Sequence, residues 1–483
     1  MGVSESIRRG LTFDDVLLVP KFSSIRSRKD AATRTKFSRG IELSIPIVSA
    51  NMDTVTESAM AIAMARMGGI GVIHRFMPPQ EQAAEVARVK RSEGILIEHP
   101  ITLPEGRTVG EARRVMEKAG VGGIVIVDRA GRLVGLVTTR DVTFEDDPRT
   151  PLSEVMTPRK ELITAREGVT MEEAKDLLRT NRVEKLPVLG GGQRLAGLIT
   201  AKDIVKRKQF PEAAKDGKGR LRVAAAVGVK EEDVGRAEKL LDADADALVV
   251  DIAHGHSLHA VEMVRRLKKR FGDVQVVAGN VATAEGTSDM VKAGADAVKV
   301  GVGPGSICIT RVVAGVGVPQ LTAILDSARD GGACIIADGG IRQPGDVTKA
   351  LAAGACSVMV GGLFAGTEES PGPTILKGGL RYKLTRGMAS LTATADRRAR
   401  ESGAARGALE ESVEEGVPEG VEGLIPYRGS VAEVVRQLVG GLRSGMSYCG
   451  ARSIEELRAN ATFVRMSDAG LRESLPHDIE RTL

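Results

Sequence analysis

A cysteine just past a glycine-rich turn is the strongest chemical signal in this chain. Between Lys299 and Arg311 an apolar run gives way to Gly301, Gly303, Pro304, Gly305, Ser306, Ile307, Cys308, Ile309 and Thr310. Glycine has no Cβ, so backbone there can approach a ligand closely or adopt positive φ. The Ser306 hydroxyl and the N–H groups of such a turn suit a phosphate or another oxyanion. A thiolate within a few residues of that cradle suits covalent chemistry on a phosphorylated metabolite. A plain Gly-rich turn ahead of a buried cysteine fits the same residues, so the surrounding elements must decide.

Those elements alternate. Apolar runs read as strands at Ile45–Ser49, Gly69–Ile73, Val223–Val227, Ala247–Ile252, Val274–Ala278, Ala297–Val302, Ala333–Ala337 and Ser357–Val360. Helical patterns lie between them, at Ala59–Met67, Val234–Leu241, Leu258–Arg270, Thr287–Ala293, Gln320–Arg329 and Gly345–Ala352. Strand–helix units with short connections predict a parallel sheet, and eight of them predict a (β/α)8 TIM barrel. A doubly wound sheet is the alternative, but no Gly-x-Gly-x-x-Gly opens a helix after an early strand.

Barrel sites gather at the carboxyl ends of the strands. Those ends carry Ala50, Asn51, Met52 and Asp53; His74 and Arg75; Asp251 and His254; Gly279 and Asn280; the Cys308 loop; Asp338, Gly339 and Gly340; and Gly361 and Gly362. The glycine pairs after strands seven and eight mark the usual phosphate corner of a barrel. Asp338 stands where a carboxylate can accept from ribose hydroxyls, and Asp251 could hold the ribose of a second ligand. His254 and His256 have the spacing of paired metal ligands, but the chain has only six histidines and no second cluster. A loop histidine pair is the expected reading.

Composition removes several function classes. Charged residues make up 27 % and hydrophobic ones 42 %, the balance of a soluble globular protein. No apolar run is long enough for a membrane span, and the N-terminus lacks the apolar region of a signal peptide. The net charge is only +5, with three Tyr and no Trp, so nucleic-acid binding is not expected. Cys308, Cys334, Cys356 and Cys449 show no paired spacing. A reducing, cytoplasmic setting without a disulfide framework is expected.

An internal repeat interrupts the strand–helix series. Residues 101–108 align with 163–170, and 131–142 with 193–204, without a gap. Each copy reads as a short strand, an amphipathic helix (Val109–Ala119; Met171–Thr180) and two apolar strands, so two copies should pack as a pseudo-twofold pair. The expected organisation is barrel over 1–98, an insert over 99–208 (repeats about 99–150 and 153–208), and barrel again over 209–483. The pair resembles a tandem CBS, or Bateman, domain: Gly135 to Asp141 and Gly197 to Asp203 both carry its Gly-h-h-Thr-x-x-Asp signature. The resemblance implies that Thr138, Asp141, Thr200 and Asp203 meet the phosphate and ribose of an adenine or guanine nucleotide. In the alternative, the two aspartates only cap the next helices.

Over nearly its whole length the chain resembles the IMP dehydrogenases. The motifs are Leu11 to Pro20, Met52 to Glu57, the Cys308 loop, Ala337 to Gly340, Arg386 to Met388, Glu419 to Gly423 and Pro476 to Asp478. The resemblance implies NAD-dependent oxidation of IMP to XMP, with Cys308 attacking purine C2 and the resulting thioimidate then hydrolysed. Thr310 would help to position the water. Ser306, Gly340, Gly361 and Gly362 would hold the phosphate and Asp338 the ribose, with Ala50, Met52, Gly387, Met388, Ala389 and Glu419 around the base. Asp251, Asn280, Gly301 and Gly303 would face the nicotinamide riboside. A monovalent cation, K+, would be held by the carbonyls of Gly303, Gly305 and Cys308 with Glu473, Ser474 and Leu475 of a neighbouring subunit, which implies a homotetramer.

The departures fall in a mobile flap expected over about 385–424. The family's flap carries an Arg-Tyr pair that activates water, but the three tyrosines here are at 382, 427 and 448. Arg397 is the best match for the arginine, with Arg398, Arg400 and Arg406 as substitutes. Thr385, Ala389 and Gly362 also replace usual family residues. Gly361-Gly362 and Gly387 to Ser390 lean toward the sister activity, GMP reductase, whereas Glu419 to Gly423, the insert and Glu473 to Asp478 lean toward the dehydrogenase. A non-catalytic CBS nucleotide sensor is the remaining alternative.

Overall fold

The computed structural model describes residues 7–93, 96–98, 100–329, 332–393, 395–396 and 417–476. Eight parallel strands close a barrel. They are β1 (Ile47–Ser49), β2 (Ile70–Ile73), β3 (Ala224–Val227), β4 (Ala247–Asp251), β5 (Gln275–Val281), β6 (Ala297–Val300), β7 (Ile335–Asp338) and β8 (Ser357–Val360). Neighbours in the barrel are neighbours in sequence, and β8 closes on β1. Each strand is followed by a helix: α1 (Ser58–Arg66), α2 (Pro79–Ser92), α3 (Asp233–Asp242), α4 (Leu258–Phe271), α5 (Ala284–Ala293), α6 (Gln320–Ser327), α7 (Pro344–Ala352) and α8 (Val431–Tyr448). The TIM-barrel expectation holds, and all eight strands lie where the apolar runs place them, within one to three residues at most ends.

Period-two alternation builds two cores from one set of strands. Val48, Ile70, Val72, Ala224, Ala226, Ala247, Val249, Val277, Ala297, Ile336 and Met359 fill the barrel interior. Their neighbours Ile47, Ile73, Ala225, Val227, Leu248, Val250, Val276, Val298, Val300, Ile335 and Val358 pack outward against the helices. The interior is filled largely by Ala and Val because eight strands leave room for little more. A hairpin of Thr35–Ser38 and Ile41–Leu43 plugs the floor, adding Phe37, Ile41 and Leu43 to the interior cluster.

α8 shows how the outer layer is sealed. Val431, Val434, Val435, Leu438, Leu442 and Met446 form a buried stripe at helical spacing. On its α7 side a Cβ at Gly441 would lie 2.2 Å from Pro344 and one at Gly445 2.6 Å from Thr348, so both glycines permit the close packing.

The chain forms two compact units: 1–90 with 212–216 and 221–483, and 91–211 with 217–220. Within the second unit each repeat makes its own small sheet and core. The helix of each copy starts with the same capping box, Thr108 with Glu111 and Thr170 with Glu173. Arg132 and Arg194, equivalent residues of the two copies, pair across an antiparallel bridge, as a local twofold requires. Val125, Leu133, Leu136, Leu189 and Leu198 form a shared core between the copies. Thr138 and Asp141 form a capping box, with Asp141 Oδ2 accepting from the Thr138 N–H at 2.7 Å and from its hydroxyl at 2.8 Å. Thr200 ends the matching strand, and the side chain of Asp203 lies outside the described residues.

Candidate active site

The carboxyl ends of β4, β5, β6 and β7 meet at one buried ammonium group. Lys299 lies on β6, two residues after the inward-facing Ala297, so alternation turns it into the barrel. It is 2 % exposed. Its Nζ donates to Asp251 Oδ1 at 2.5 Å, to Asp338 Oδ2 at 2.8 Å and to Asn280 Oδ1. Asn280 Nδ2 in turn donates to Asp338 Oδ2 at 2.9 Å and to the Gly301 carbonyl at 2.6 Å. Burial alone would push the lysine's pKa down, but Asp251 and Asp338 outweigh it and hold the ammonium above its ordinary value. Burial alone would likewise raise the Asp251 carboxyl; the Lys299 charge reverses this and holds it below the carboxylate range. Four strand ends are thereby locked around one charge, with both carboxylate side chains still 20 % exposed.

The loop after β6 leaves this hub through Gly301, Gly303 and Gly305. Gly301 has φ +150°, and a Cβ there would lie 2.0 Å from the Asp338 carbonyl, so only glycine lets β6 and β7 end side by side. At the phosphate corner a Cβ on Gly362 would lie 2.9 Å from Ser306 Oγ, and one on Gly361 3.0 Å from Met52 Sδ. The bare backbone after β8 therefore admits the Ser306 turn on one side and the Met52 segment on the other. Gly339 and Gly340 both have positive φ, so the turn after β7 needs glycine twice.

Cys308 is held from a distant part of the chain. The Ile309 N–H donates to the Glu419 carbonyl at 2.9 Å, and the Val421 N–H to the Ile307 carbonyl at 3.0 Å. On the other side of Glu419 to Val421, the Gly387 N–H donates to the Val421 carbonyl at 2.9 Å and the Glu419 N–H to the Ala389 carbonyl at 3.2 Å. Three backbone segments thus interlock, and they bring side chains into line. Thr310 Oγ1 donates to Glu419 Oε2 at 2.6 Å and lies 3.2 Å from Cys308 Sγ. With its own proton committed to Glu419, the Thr310 oxygen is left to accept from the thiol. The order Cys308, Thr310, Glu419 is a proton line.

Segment 387–390 is tied to the β1 end. Arg386, the last residue of the strand Leu380–Arg386, donates to Asp53 Oδ2 at 2.6 and 2.8 Å and to Asp396 at 2.6 Å. The Asp53 N–H donates to Met388 Sδ at 3.4 Å. Arg397, Arg398, Arg400 and Arg406 lie outside the described residues. His256 pairs with Asp289 at 3.0 Å, and its ring stands 6.5 Å from that of His254. His256, Glu285 and Asp289 lie close enough to share an ion, a group that does not include His254.

The expected residues at the ends of β1 and β4 to β8 therefore converge, together with Thr310 and Glu419. Lys299 was not among them. Its signal was present in the sequence: a lysine at an inward position of an otherwise apolar strand has to be paired. The Arg386–Asp53 ion pair had no comparable signal, because it joins residues over 300 positions apart.

The family model of the IMP dehydrogenase / GMP reductase domain matches residues 10–477. The chain belongs to that family. Among relatives of this family, the inosine-5'-monophosphate dehydrogenase of Nitrosopumilus maritimus is 54% identical over 98% of this chain and 99% of its own. That of Bacillus subtilis is 50% identical over 100% and 98%. Among solved structures, a GMP reductase from Trypanosoma brucei in complex with guanosine 5'-monophosphate superposes with a TM-score of 0.92 at 46% identity, covering 99% of this chain and 100% of that one. Both branches of the family thus share this barrel.

Proposed function

We propose that the chain is an NAD-dependent oxidoreductase that converts IMP to XMP. The observation that carries this reading is the Cys308–Thr310–Glu419 line at the mouth of the barrel. The thiol proton leaves through Thr310 to Glu419, and the sulfur adds to C2 of the purine. NAD+ when bound takes the C2 hydride. Water then adds to the Cys308-bound carbon and the C–S bond breaks, giving XMP and the free thiol. Overall, IMP, NAD+ and water give XMP, NADH and a proton. Once Glu419 has released the thiol's proton to solvent, Thr310 and Glu419 can take the proton of that water by the same route and return it to the Cys308 sulfur as the C–S bond breaks. Such a route answers the absence of the flap tyrosine, and Arg397 is the candidate for a second one.

In this reading Ser306, Gly340, Gly361 and Gly362 hold the phosphate, and Asp338 the ribose. Ala50, Met52, Gly387, Met388 and Ala389 flank the base. Asp251, Asn280, Gly301 and Gly303 face the nicotinamide riboside. K+ fits the carbonyls of Gly303, Gly305 and Cys308. Gly305 O accepts from the Cys308 N–H at 3.2 Å, and Glu473, Ser474 and Leu475 are exposed at a helix end. Supplied by the partner subunit, those three would make the active form a homotetramer. The repeat pair is proposed to be a tandem CBS domain binding an adenine or guanine nucleotide through Thr138, Asp141, Thr200 and Asp203. Among the described residues no helix is long and apolar enough to cross a membrane.

GMP reduction with NADPH is the second reading, favoured by the T. brucei neighbour and by Gly361-Gly362. A paired assay separates the two. IMP with NAD+ and K+ should yield NADH and XMP, while turnover of GMP with NADPH alone would reassign the chain. Turnover of neither would leave the nucleotide-sensor reading. For the flap, Arg397→Ala should slow hydrolysis more than hydride transfer, and an unchanged steady state after the NADH burst would remove it from the chemistry.

A further inference from the structure

The barrel floor holds a second thiol site that the proposed reaction does not use. Cys334 and Cys356 immediately precede β7 and β8, which run side by side from the Ile336–Ser357 pair onward. The Cys356 N–H donates to the Ile335 carbonyl at 2.7 Å, so adjacent strand starts bring the two residues together. Each thiol is the largest influence on the titration of the other. Both residues are half-buried.

The surroundings make the two sulfurs unequal. Cys334 Sγ lies 3.7 Å from the Lys36 carbonyl in the floor hairpin, and Thr35 Oγ1 donates to the Cys356 carbonyl at 2.6 Å. The Arg458 guanidinium, whose Nη2 donates to the Ala355 carbonyl at 2.6 Å, stands beside Cys356. The hydrogen bond from Cys334 and the charge of Arg458 pull the Cys356 thiol down to about 6, while the same bond and burial push Cys334 up. The two directions favour the thiolate at Cys356 and the thiol at Cys334.

We propose that Cys334 and Cys356 are a vicinal dithiol that reacts with hydroperoxides to form a disulfide stapling β7 to β8 at the barrel floor. The Cys356 thiolate attacks the O–O bond. An S–O bond forms, the O–O bond breaks, and the leaving oxygen takes a proton, as water when the oxidant is hydrogen peroxide. Cys334 then attacks the Cys356 sulfur, its proton leaving with the displaced hydroxide as a second water. Two thiols and one peroxide give one disulfide and two waters. Cys308, at the opposite end of the barrel, is not a partner.

Peptide mapping of the full-length wild-type protein tests this. After brief hydrogen peroxide treatment and alkylation, the tryptic peptide carrying Cys334 should be linked to the one carrying Cys356, and reduction should release both. In Cys334→Ser, a cyclic dione probe should trap Cys356 as a sulfenic acid roughly tenfold faster than it traps Cys334 in Cys356→Ser. Complete alkylation of both thiols after peroxide, a link from either to Cys308, or oxidation of Cys356 to a sulfinic acid without a link would each overturn the proposal. The wild-type mapping stands whether or not either serine variant folds, and it is independent of the reaction catalysed.

Discussion

The two halves of the candidate site are built by different physics. Around Lys299, side chains on four consecutive strand ends are locked by charge in a place largely closed to water. Around Cys308, little is locked by charge; backbone bridges join a loop to segments some 80 and 110 residues further on. The first half is part of the barrel and exists whenever the barrel does. The second is assembled on top of it and is tied to it through the ion pairs of Arg386 with Asp53 and Asp396. A buried ion network removed at one partner leaves charges stranded, whereas a bridged loop can be lifted away and reseated. Binding of the nucleotide ribose and the cofactor should therefore belong to the rigid half, and the timing of hydrolysis to the assembled one.

Four substitutions sharpen that contrast. Cys308→Ala should have the largest effect on rate, lowering turnover on the order of 10⁴-fold or more while leaving the unfolding midpoint in place. Lys299→Met should do the reverse and strike the fold, costing about 3–5 kcal/mol in denaturant titrations because Asp251 and Asp338 lose their counter-ion. A midpoint equal to wild type would show that water reaches the hub. Glu419→Gln should fall between them: with no carboxylate to take the proton of Cys308 or of the water, rapid-mixing traces should show the NADH burst and the steady state both slowed, by about 10²-fold. A burst at the wild-type rate followed by a slow steady state would confine Glu419 to the water step. Gly362→Ala should be mildest, since its Cβ presses on Ser306 Oγ; about a tenfold rise in KM for the nucleotide, roughly 1.4 kcal/mol, is expected with kcat held.

The rigid half is also the legible half. Strand ends can be read because apolar runs stop, and the residues just beyond those ends share one face of a barrel. Asp251, Asn280, Asp338 and the glycine pairs all come from that rule. Lys299 obeys it too, and alternation through Ala297 and Val298 places it inside. The assembled half resists such reading because nothing local in Glu419 or Ala389 announces pairing with Ile309 or with each other. Resemblance to a family was needed to bring Glu419 into the site at all, and only the geometry turned it toward Thr310. The repeat is legible to the same depth. Its twofold and the capping reading of Asp141 could both be expected from the sequence, and the carboxylate folded back onto Thr138 supplies the contact.

β2 and β3 are hydrogen-bonded neighbours although the whole second compact unit is strung between them. Lys90, near the end of α2, pairs with Asp216 at 3.1 Å and with Asp246 at 2.6 Å, so the departing and returning chain are clasped before and after the excursion. To the barrel that excursion is one surface loop, and the entropy of closing a loop grows only with the logarithm of its length. Cutting it back to a short linker should leave closure of the eight strands, and the ring of groups at their ends, intact. The connectivity is that of a guest strung into a host, each with a core of its own.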